Sequence, residues 1–252
     1  MNRMIVATVL ICVTAAPALA QNEIEITTRG DQRCFTANGL PDHPTGQFPS
    51  RANPNAIEPQ RVYMCVPLEP VRTDTAQQMR GAVGIAVNGV QFRPTTAGYW
   101  DPEARRSHSR NGDQNWSLDI FGTPGQLGLD FNNAHVGPNG LYHYHGIAES
   151  LTETSGSTLV GYAGDGFEMH FVGDAAQSGY RLVQGTRPLG PGGRYDGTYN
   201  EDYEYAGGVG TLDACNGGMM DGEYVYFITE SYPFVGRCLW GDIGPDFGRG
   251  GQ

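Results

Sequence analysis

The chain has 252 residues and a formal net charge of −11, and this acidic balance argues against a nucleic-acid-binding protein. All 16 basic residues are arginine. The absence of lysine excludes a Schiff-base enzyme, a lysine-anchored pyridoxal (PLP) cofactor and a phosphate loop that ends in Gly-Lys. The G-x-S-x-G, H-E-x-x-H and G-x-G-x-x-G motifs are also missing, so serine hydrolases, zincins and nucleotide cofactors lose their sequence support.

Residues 1–20 have the pattern of a secretory signal peptide. Arg3 supplies the charged start, an apolar run covers residues 4–13, and a small-x-small cleavage site ends at Ala20. We therefore expect a secreted or periplasmic protein whose mature chain begins near Gln21. No later segment approaches the roughly 20 apolar residues of a membrane-spanning helix, so we expect no membrane span in the mature chain.

The cysteines predict disulfides in the mature chain. Four of the five cysteines lie outside the signal segment: Cys34, Cys65, Cys215 and Cys238. An even number in an oxidising compartment indicates disulfide bonds, and three connectivities are open. Closeness along the chain favours Cys34 with Cys65 and Cys215 with Cys238. The alternative, a zinc-thiolate site, lacks any C-x-x-C spacing.

The composition predicts a mainly β fold. The 37 glycines and 16 prolines separate short β-branched or aromatic runs, which is typical of a single sandwich- or barrel-like domain with long loops and few helices. The predicted strands are residues 23–27, 62–66, 83–87, 90–92, 116–120, 141–145, 167–172 and 223–229. Asn88 and Gly89 predict a two-residue type I′ hairpin turn, and residues 72–80 are the best helix candidate.

Two regions flank the predicted domain. Residues 21–80 are expected to form an N-terminal strand and a disulfide-bridged loop region, and residues 242–252 a flexible Gly-rich tail. His43 and His108 lie in loops that bear proline or arginine, and we expect both to be exposed.

Residues 142–145 read Tyr-His-Tyr-His and predict a metal site. Successive side chains of a strand point to opposite faces, so His143 and His145 share one face. His135 lies across a Gly-Pro-Asn-Gly turn at residues 137–140, which should fold the preceding segment back alongside this strand. Three imidazoles on one face suit copper or zinc. In the alternative interpretation, these histidines only hydrogen-bond to neighbours or water.

Three more side chains are candidates for a fourth ligand or a supporting partner. Glu168 and His170 share the polar face of a predicted strand, and Asp165 lies between two glycines, from where it could orient a histidine ring. The alternatives are a solvated polar face for Glu168 and His170 and an Asx turn for Asp165.

The chain resembles the YHYH-domain family of exported proteins, which is named for the tetrapeptide at residues 142–145. Similar landmarks lie at residues 87–90, 132–135, 161–167, 212–218 and 232–241. The resemblance covers about residues 81–241 and implies a YHYH domain over that range. The pair Cys215 and Cys238 also fits a family disulfide. The family carries no established activity, so the resemblance implies a fold and no reaction.

The leading hypothesis is an exported protein that binds copper or zinc through His135, His143 and His145. Three protein ligands with an open position could support hydrolysis or redox chemistry, and whether the protein is an enzyme stays open. The second hypothesis is a non-catalytic extracellular binding module in which exposed tyrosines such as Tyr142 and Tyr144 recognise a glycan or a protein. The third is a metal-independent hydrolase. The partner is thus an unknown small molecule, glycan or protein.

Overall fold

The computed structural model describes residues 21–123, 125–208 and 212–247. The predicted signal peptide therefore lies outside the described residues. Within them, the chain forms eighteen strands, one α-helix and two single-turn 3₁₀-helices, which confirms the prediction of a mainly β fold. The strands are β1 (Ile24–Arg29), β2 (Gln32–Ala37), β3 (Val62–Pro67), β4 (Arg72–Gln78), β5 (Gly84–Ala86), β6 (Gln91–Phe92), β7 (Tyr99–Trp100), β8 (His108–Ser109), β9 (Asp113–Ser117), β10 (Ala134–Val136), β11 (Tyr142–Tyr144), β12 (Leu159–Ala163), β13 (Glu168–His170), β14 (Tyr180–Leu182), β15 (Tyr203–Tyr205), β16 (Gly217–Met220), β17 (Glu223–Phe227) and β18 (Cys238–Gly241).

An eight-stranded sheet forms the centre of the molecule, in the order β10-β11-β6-β5-β12-β13-β17-β16. The N-terminal strands β1, β2 and β3 form a separate antiparallel sheet. Phe35 and Met64 of that sheet belong to the same buried core as Ile85 and Phe92 of the central sheet. The N-terminal region is therefore packed into one hydrophobic core with the rest of the chain.

Both disulfides predicted from proximity along the chain are present. Cys34 and Cys65 face each other across the β2–β3 pair, and their sulfurs are bonded. Cys215 is bonded to Cys238, which ties the segment before β16 to β18. The two bonds close loops of 31 and 23 residues, and such closures stabilise a fold mainly by restricting the unfolded chain.

The helix prediction for residues 72–80 is wrong. Residues Arg72–Gln78 form β4, which pairs antiparallel with β18 near the C-terminal end of the described chain. Threonines at positions 73 and 75 suit an extended strand, and a partner far along the sequence decided the conformation. The α-helix instead covers Glu149–Ser155 and ends at Gly156, whose φ of 60° gives a left-handed cap.

The hairpin of β5 and β6 forms as predicted, with a different turn. The Ala86 N–H donates to the Val90 carbonyl at 2.8 Å, and the Gly89 N–H donates to the Ala86 carbonyl at 2.9 Å. Only Gly89 has a positive φ, at 85°. This pattern is a three-residue turn with a glycine bulge, where the sequence predicted a two-residue type I′ turn.

The segment after β18 differs from the expected flexible tail over its described part. Phe247 is 5% exposed and packs into the main core. The Gly244 N–H donates to the Gly164 carbonyl at 2.8 Å, and Asp246 accepts from the Cys65 N–H at 3.2 Å. Residues 248–252 lie outside the described part of the chain.

Candidate metal centre

The strands β10 and β11 bring the three predicted histidines together. They pair antiparallel with His135 directly opposite His143, so both side chains point to one face of the sheet. Pro138, Asn139 and Gly140 form the turn between them, closed by a 2.9 Å hydrogen bond from the Gly137 N–H to the Leu141 carbonyl. The predicted turn and its effect on His135 are therefore confirmed.

His145 follows β11 and completes the cluster. Its backbone N–H donates to the Asn133 carbonyl at 2.8 Å, which extends the pairing by one residue pair. The ring centroids lie 4.7 Å apart for His135 and His143, 4.7 Å for His135 and His145, and 4.9 Å for His143 and His145. One nitrogen of each ring lies within 4.8 Å of the other two. Among the described residues, no other set of histidine, cysteine or acidic side chains converges in this way.

Two of the rings are held by backbone carbonyls. The Nδ1 atom of His135 lies 2.8 Å from the Leu127 carbonyl oxygen, and Nδ1 of His143 lies 3.0 Å from the Leu141 carbonyl oxygen. Because a carbonyl only accepts, each Nδ1 carries the proton and each Nε2 keeps its lone pair. This arrangement orients metal-binding imidazoles in proteins generally.

The third ring has weaker support, because its interaction with the Pro94 carbonyl, which opposes the lowering of the His145 pKa, does not reach normal hydrogen-bond geometry. His145 is 1% exposed, and neither of its ring nitrogens has a hydrogen-bond partner of normal geometry within the described residues. A buried polar group left unsatisfied costs about 1–3 kcal/mol, and such groups are rare in native proteins. An ion coordinated between the three rings would satisfy one ring nitrogen of His145, so the residues present fit a metal.

The surroundings of the cluster also favour the neutral form of the three imidazoles. Burial lowers the pKa of His135. Burial, reinforced by the nearby His135, lowers the pKa of His143 well below its ordinary value. Burial together with His143 and His135 does the same to the pKa of His145. Neutral imidazole is the form that binds metals, so the rings are ready for coordination near neutral pH.

A loop that sequence reasoning missed borders the cluster. A groove of about 250 Å³ is lined by Ile120, Phe121, Thr123, Gly125, Leu127, Gly128 and Leu129, and Leu127 holds the His135 ring. Asp119 fixes the start of the loop by accepting from the N–H groups of Phe121 at 2.9 Å and Gly122 at 3.0 Å. Arg237 in turn donates to Asp119 at 2.9 Å. His135 is the most exposed of the three rings, and its contact with Leu127 places it next to a residue that lines the groove.

The opposite face of β11 is closed, and the expectation of exposed tyrosines is wrong. Tyr142 and Tyr144 are both 0% exposed. The Tyr142 hydroxyl donates to Asp130 at 2.8 Å, and the Tyr144 hydroxyl lies 2.6 Å from Nε2 of His43. His43 is itself buried, contrary to prediction, because the N-terminal segment lies over this face of the strand. Recognition of a glycan or a protein by these two tyrosines is thereby excluded. His108 is partly exposed.

The three supporting candidates lie apart from the cluster. Strand β13, which carries Glu168 and His170, is separated from β11 by three strands, or about 19 Å at the usual strand spacing. His170 contacts Glu168 at 2.8 Å and Thr158 at 3.2 Å, so both of its nitrogens have partners. Asp165 is fully buried and accepts from the Tyr226 hydroxyl at 2.7 Å, and burial raises its pKa.

The fold and the site define a β-rich, disulfide-bonded protein with a buried three-histidine cluster on its central sheet. The family model described as YHYH protein matches residues 63–241, and the chain belongs to this family. The match begins in β3, earlier than residue 81, where the resemblance placed its start.

The other comparisons add no relative. No curated protein and no solved structure matches the chain. Over the described residues, no helix has the length and hydropathy that a membrane span requires. The two disulfides fit an exported protein.

Proposed function

We propose that this protein binds one transition-metal ion, copper or zinc, through His135, His143 and His145. The observation that carries the proposal is His145, a buried imidazole without a hydrogen bond of normal geometry, beside two rings whose Nδ1 atoms are held by backbone carbonyls. The ligands would be Nε2 of His135, Nε2 of His143 and one ring nitrogen of His145.

The spacing of the nitrogens supports coordination after a small movement. Donor atoms about 2.0–2.1 Å from a tetrahedral ion lie about 3.3 Å apart. The three nitrogens lie within 4.8 Å of one another, so side-chain rotations of about 1 Å would close the site. An imidazole set of this kind binds copper(II) more tightly than zinc.

The partial exposure of one histidine supports an open fourth coordination position on the proposed metal ion. His135 is partly exposed and contacts Leu127, which lines the groove, whereas His143 and His145 are buried. A metal held by three protein ligands supplies a Lewis acid or a redox centre to whatever enters from that side. The chain's own contribution is to hold the three rings neutral and to exclude water from the buried side of the site.

We also propose that the protein is exported, with cleavage near Ala20. The charged start, apolar run and small-x-small ending of residues 1–20 support this assignment. The Cys34–Cys65 and Cys215–Cys238 bonds are consistent with an oxidising compartment.

The test is metal stoichiometry in protein purified after export of the full chain. The wild-type protein should bind about one equivalent of copper or zinc by elemental analysis, and His143→Ala/His145→Ala should bind none. His108→Ala serves as the matched control, because His108 lies on a separate small sheet. Circular dichroism establishes that the variants are folded. Wild-type stoichiometry in the folded double variant would contradict the proposal.

A further inference from the structure

The central sheet has a two-fold pattern. Its order, β10-β11-β6-β5-β12-β13-β17-β16, reads as two sets of four strands that meet at β5 and β12. These two strands pair antiparallel with Ile85 opposite Tyr162 at the midpoint. Going outward, each half has an antiparallel pair, a parallel pair and another antiparallel pair. Rotation about the midpoint therefore exchanges β5 with β12, β6 with β13, β11 with β17 and β10 with β16.

The hairpins nearest this axis share their turn. In the second half, the Ala163 N–H donates to the Phe167 carbonyl at 2.8 Å, and the Gly166 N–H donates to the Ala163 carbonyl at 2.9 Å. These bonds repeat those made by Ala86 and Gly89 in the first half. The glycines have φ values of 85° and 92°. The sequence pattern V-G-x-A-x-x-G occurs in both, at residues 83–89 and 160–166.

The outer hairpins share an aspartate turn. Oδ1 of Asp130 accepts from the backbone N–H groups two and four residues later, at 2.9 and 3.2 Å. Oδ1 of Asp213 makes the same two bonds, both at 2.9 Å. The residue three positions after each aspartate is an asparagine with positive φ, 53° at Asn133 and 60° at Asn216.

The buried tyrosines are equivalent as well. The Tyr142 hydroxyl donates to Asp130 at 2.8 Å, and the Tyr224 hydroxyl donates to Asp213 at 2.7 Å. The rings of Tyr142 and Tyr144 lie 5.8 Å apart at an interplanar angle of 80°. Those of the second pair, Tyr224 and Tyr226, lie 5.5 Å apart at 84°. Such agreement of bonds, dihedrals and ring geometry indicates two copies of one structural unit.

The copies differ at the three positions of the metal cluster. Strand pairing places Gly218 opposite Val225, as His135 lies opposite His143. The Phe227 N–H donates to the Asn216 carbonyl at 2.8 Å, as the His145 N–H donates to Asn133. The equivalents of the three histidines are therefore Gly218, Val225 and Phe227. Val225 and Phe227 are buried in a small separate apolar cluster with Leu212 and Ala176.

We propose that the domain is an internal duplication whose second copy holds a latent metal site at Gly218, Val225 and Phe227, with the backbone of the first site and apolar side chains in place of imidazoles. The latent site would take the same class of ligand, a divalent transition-metal ion, and this part of the proposal depends on the proposed function. The duplication itself does not depend on the proposed function, because it is defined by backbone hydrogen bonds and tyrosine contacts alone.

The second copy can take the change if a neighbouring side chain shifts slightly. Gly218 does not have a positive φ, so its backbone accepts any residue. A Cβ atom there would lie 3.1 Å from the Leu212 side chain and 3.4 Å from the Phe227 ring, so the Leu212 side chain must move by a few tenths of an ångström. Replacement of Phe227 removes the second of these contacts.

The test moves the ligands from one copy to the other. Gly218→His/Val225→His/Phe227→His is made in the full chain that already carries His143→Ala/His145→Ala, and zinc binding is measured by titration and elemental analysis. We expect the transplanted set to give about one equivalent, against none in the parent variant. A folded variant that binds no zinc overturns the latent site.

Two further measurements complete the test. If the triple substitution does not fold, Gly218→His/Val225→His should still fold and bind zinc more weakly through the cross-strand pair; failure to fold or to bind overturns the proposal. The reverse exchange, His143→Val/His145→Phe, should retain a cooperative thermal transition, because the second copy folds with these residues; loss of that transition contradicts the duplication. Zinc binding by the transplanted site, with neither zinc nor copper bound by the wild type, would reject the proposed function and leave the duplication intact.

Discussion

Asp130 fastens the strands that carry the metal cluster. Its Oδ2 accepts from the Tyr142 hydroxyl at 2.8 Å and from the Gly46 N–H at 3.0 Å, while Oδ1 accepts two backbone N–H groups of the turn. Asp130→Asn keeps one acceptor oxygen and places an amide NH₂ against two donors. Each lost bond with a buried partner costs about 1–3 kcal/mol, so the free energy of unfolding should fall by about 2–5 kcal/mol.

The same substitution should weaken metal binding. Tyr142 and His143 are neighbours on β11, and Ala134, which donates to Asp130, precedes His135. Burial lowers the pKa of His135, and the Asp130 carboxylate opposes this shift, so it stabilises positive charge at the cluster. Loss of an outer partner of a metal ligand typically lowers affinity by 10–100-fold, and we expect about tenfold here because Asp130 acts through the strands.

The second copy supplies the control. Asp213→Asn removes the equivalent contact to Tyr224 in the half of the sheet that lacks the three-histidine cluster. Urea unfolding should give a comparable loss of stability for both variants, and competition with a chelator should show weaker metal binding for Asp130→Asn alone. An unchanged affinity in Asp130→Asn, or an equal loss in Asp213→Asn, would refute the positioning role of Asp130.

Three other outcomes can be measured. The fold lowers the pKa values of the three histidines below the unfolded value of about 6.5, so the unfolded state binds more protons below that pH. As the pH falls below about 6.5, the free energy of unfolding of the metal-free protein should therefore decrease by about 1.4 kcal/mol per pH unit for each histidine that stays neutral. Urea unfolding between pH 7.5 and 5.5 checks this, and an equally steep slope in the variant with alanine at all three cluster positions would contradict it. His43→Ala leaves the buried Tyr144 hydroxyl without its acceptor and should cost about 1–3 kcal/mol while metal stoichiometry stays at one; a loss of metal would show that the tyrosine face is not merely structural. Cys34→Ala/Cys65→Ala opens a 31-residue loop and should lower stability by about 2–4 kcal/mol in thermal or urea unfolding, and an unchanged transition would rule out a stabilising role for this bond.

The features that the sequence predicted correctly are local. The alternation at residues 142–145 decides which side chains share a face, and the Gly-Pro-Asn-Gly turn decides that His135 returns to that face. The disulfides followed from short separations along the chain. In each case, the contacting residues lie within about thirty positions, so strand period and turn chemistry were sufficient.

The features that could not be predicted are long-range. His43 covers Tyr144 from 101 positions away, and this contact turned two expected surface tyrosines into buried ones. Strand β4 exists because β18 pairs with it, which overrode a weak helical pattern. Asp165 was expected to support a histidine because it lies between two glycines. It instead accepts a hydrogen bond from Tyr226 on the far side of the sheet. The duplication has a short sequence signal at residues 83–89 and 160–166, and its meaning depends on the strand order.

The two copies also bear on why the histidines are there. A buried imidazole such as His145, without a hydrogen bond of normal geometry, is unfavourable for the fold on its own. The second copy reaches the same backbone bonds and the same tyrosine geometry with Val225 and Phe227 at the equivalent positions, and these apolar side chains bury no unsatisfied group. Folding alone therefore does not require imidazoles at this place in the unit. A bound ion would offset the destabilising effect of the histidines in the first copy. His143→Val/His145→Phe should consequently make the metal-free protein more stable than the metal-free wild type. Urea unfolding in the presence of a chelator decides this, and a less stable exchange variant would mean that the histidines serve the fold.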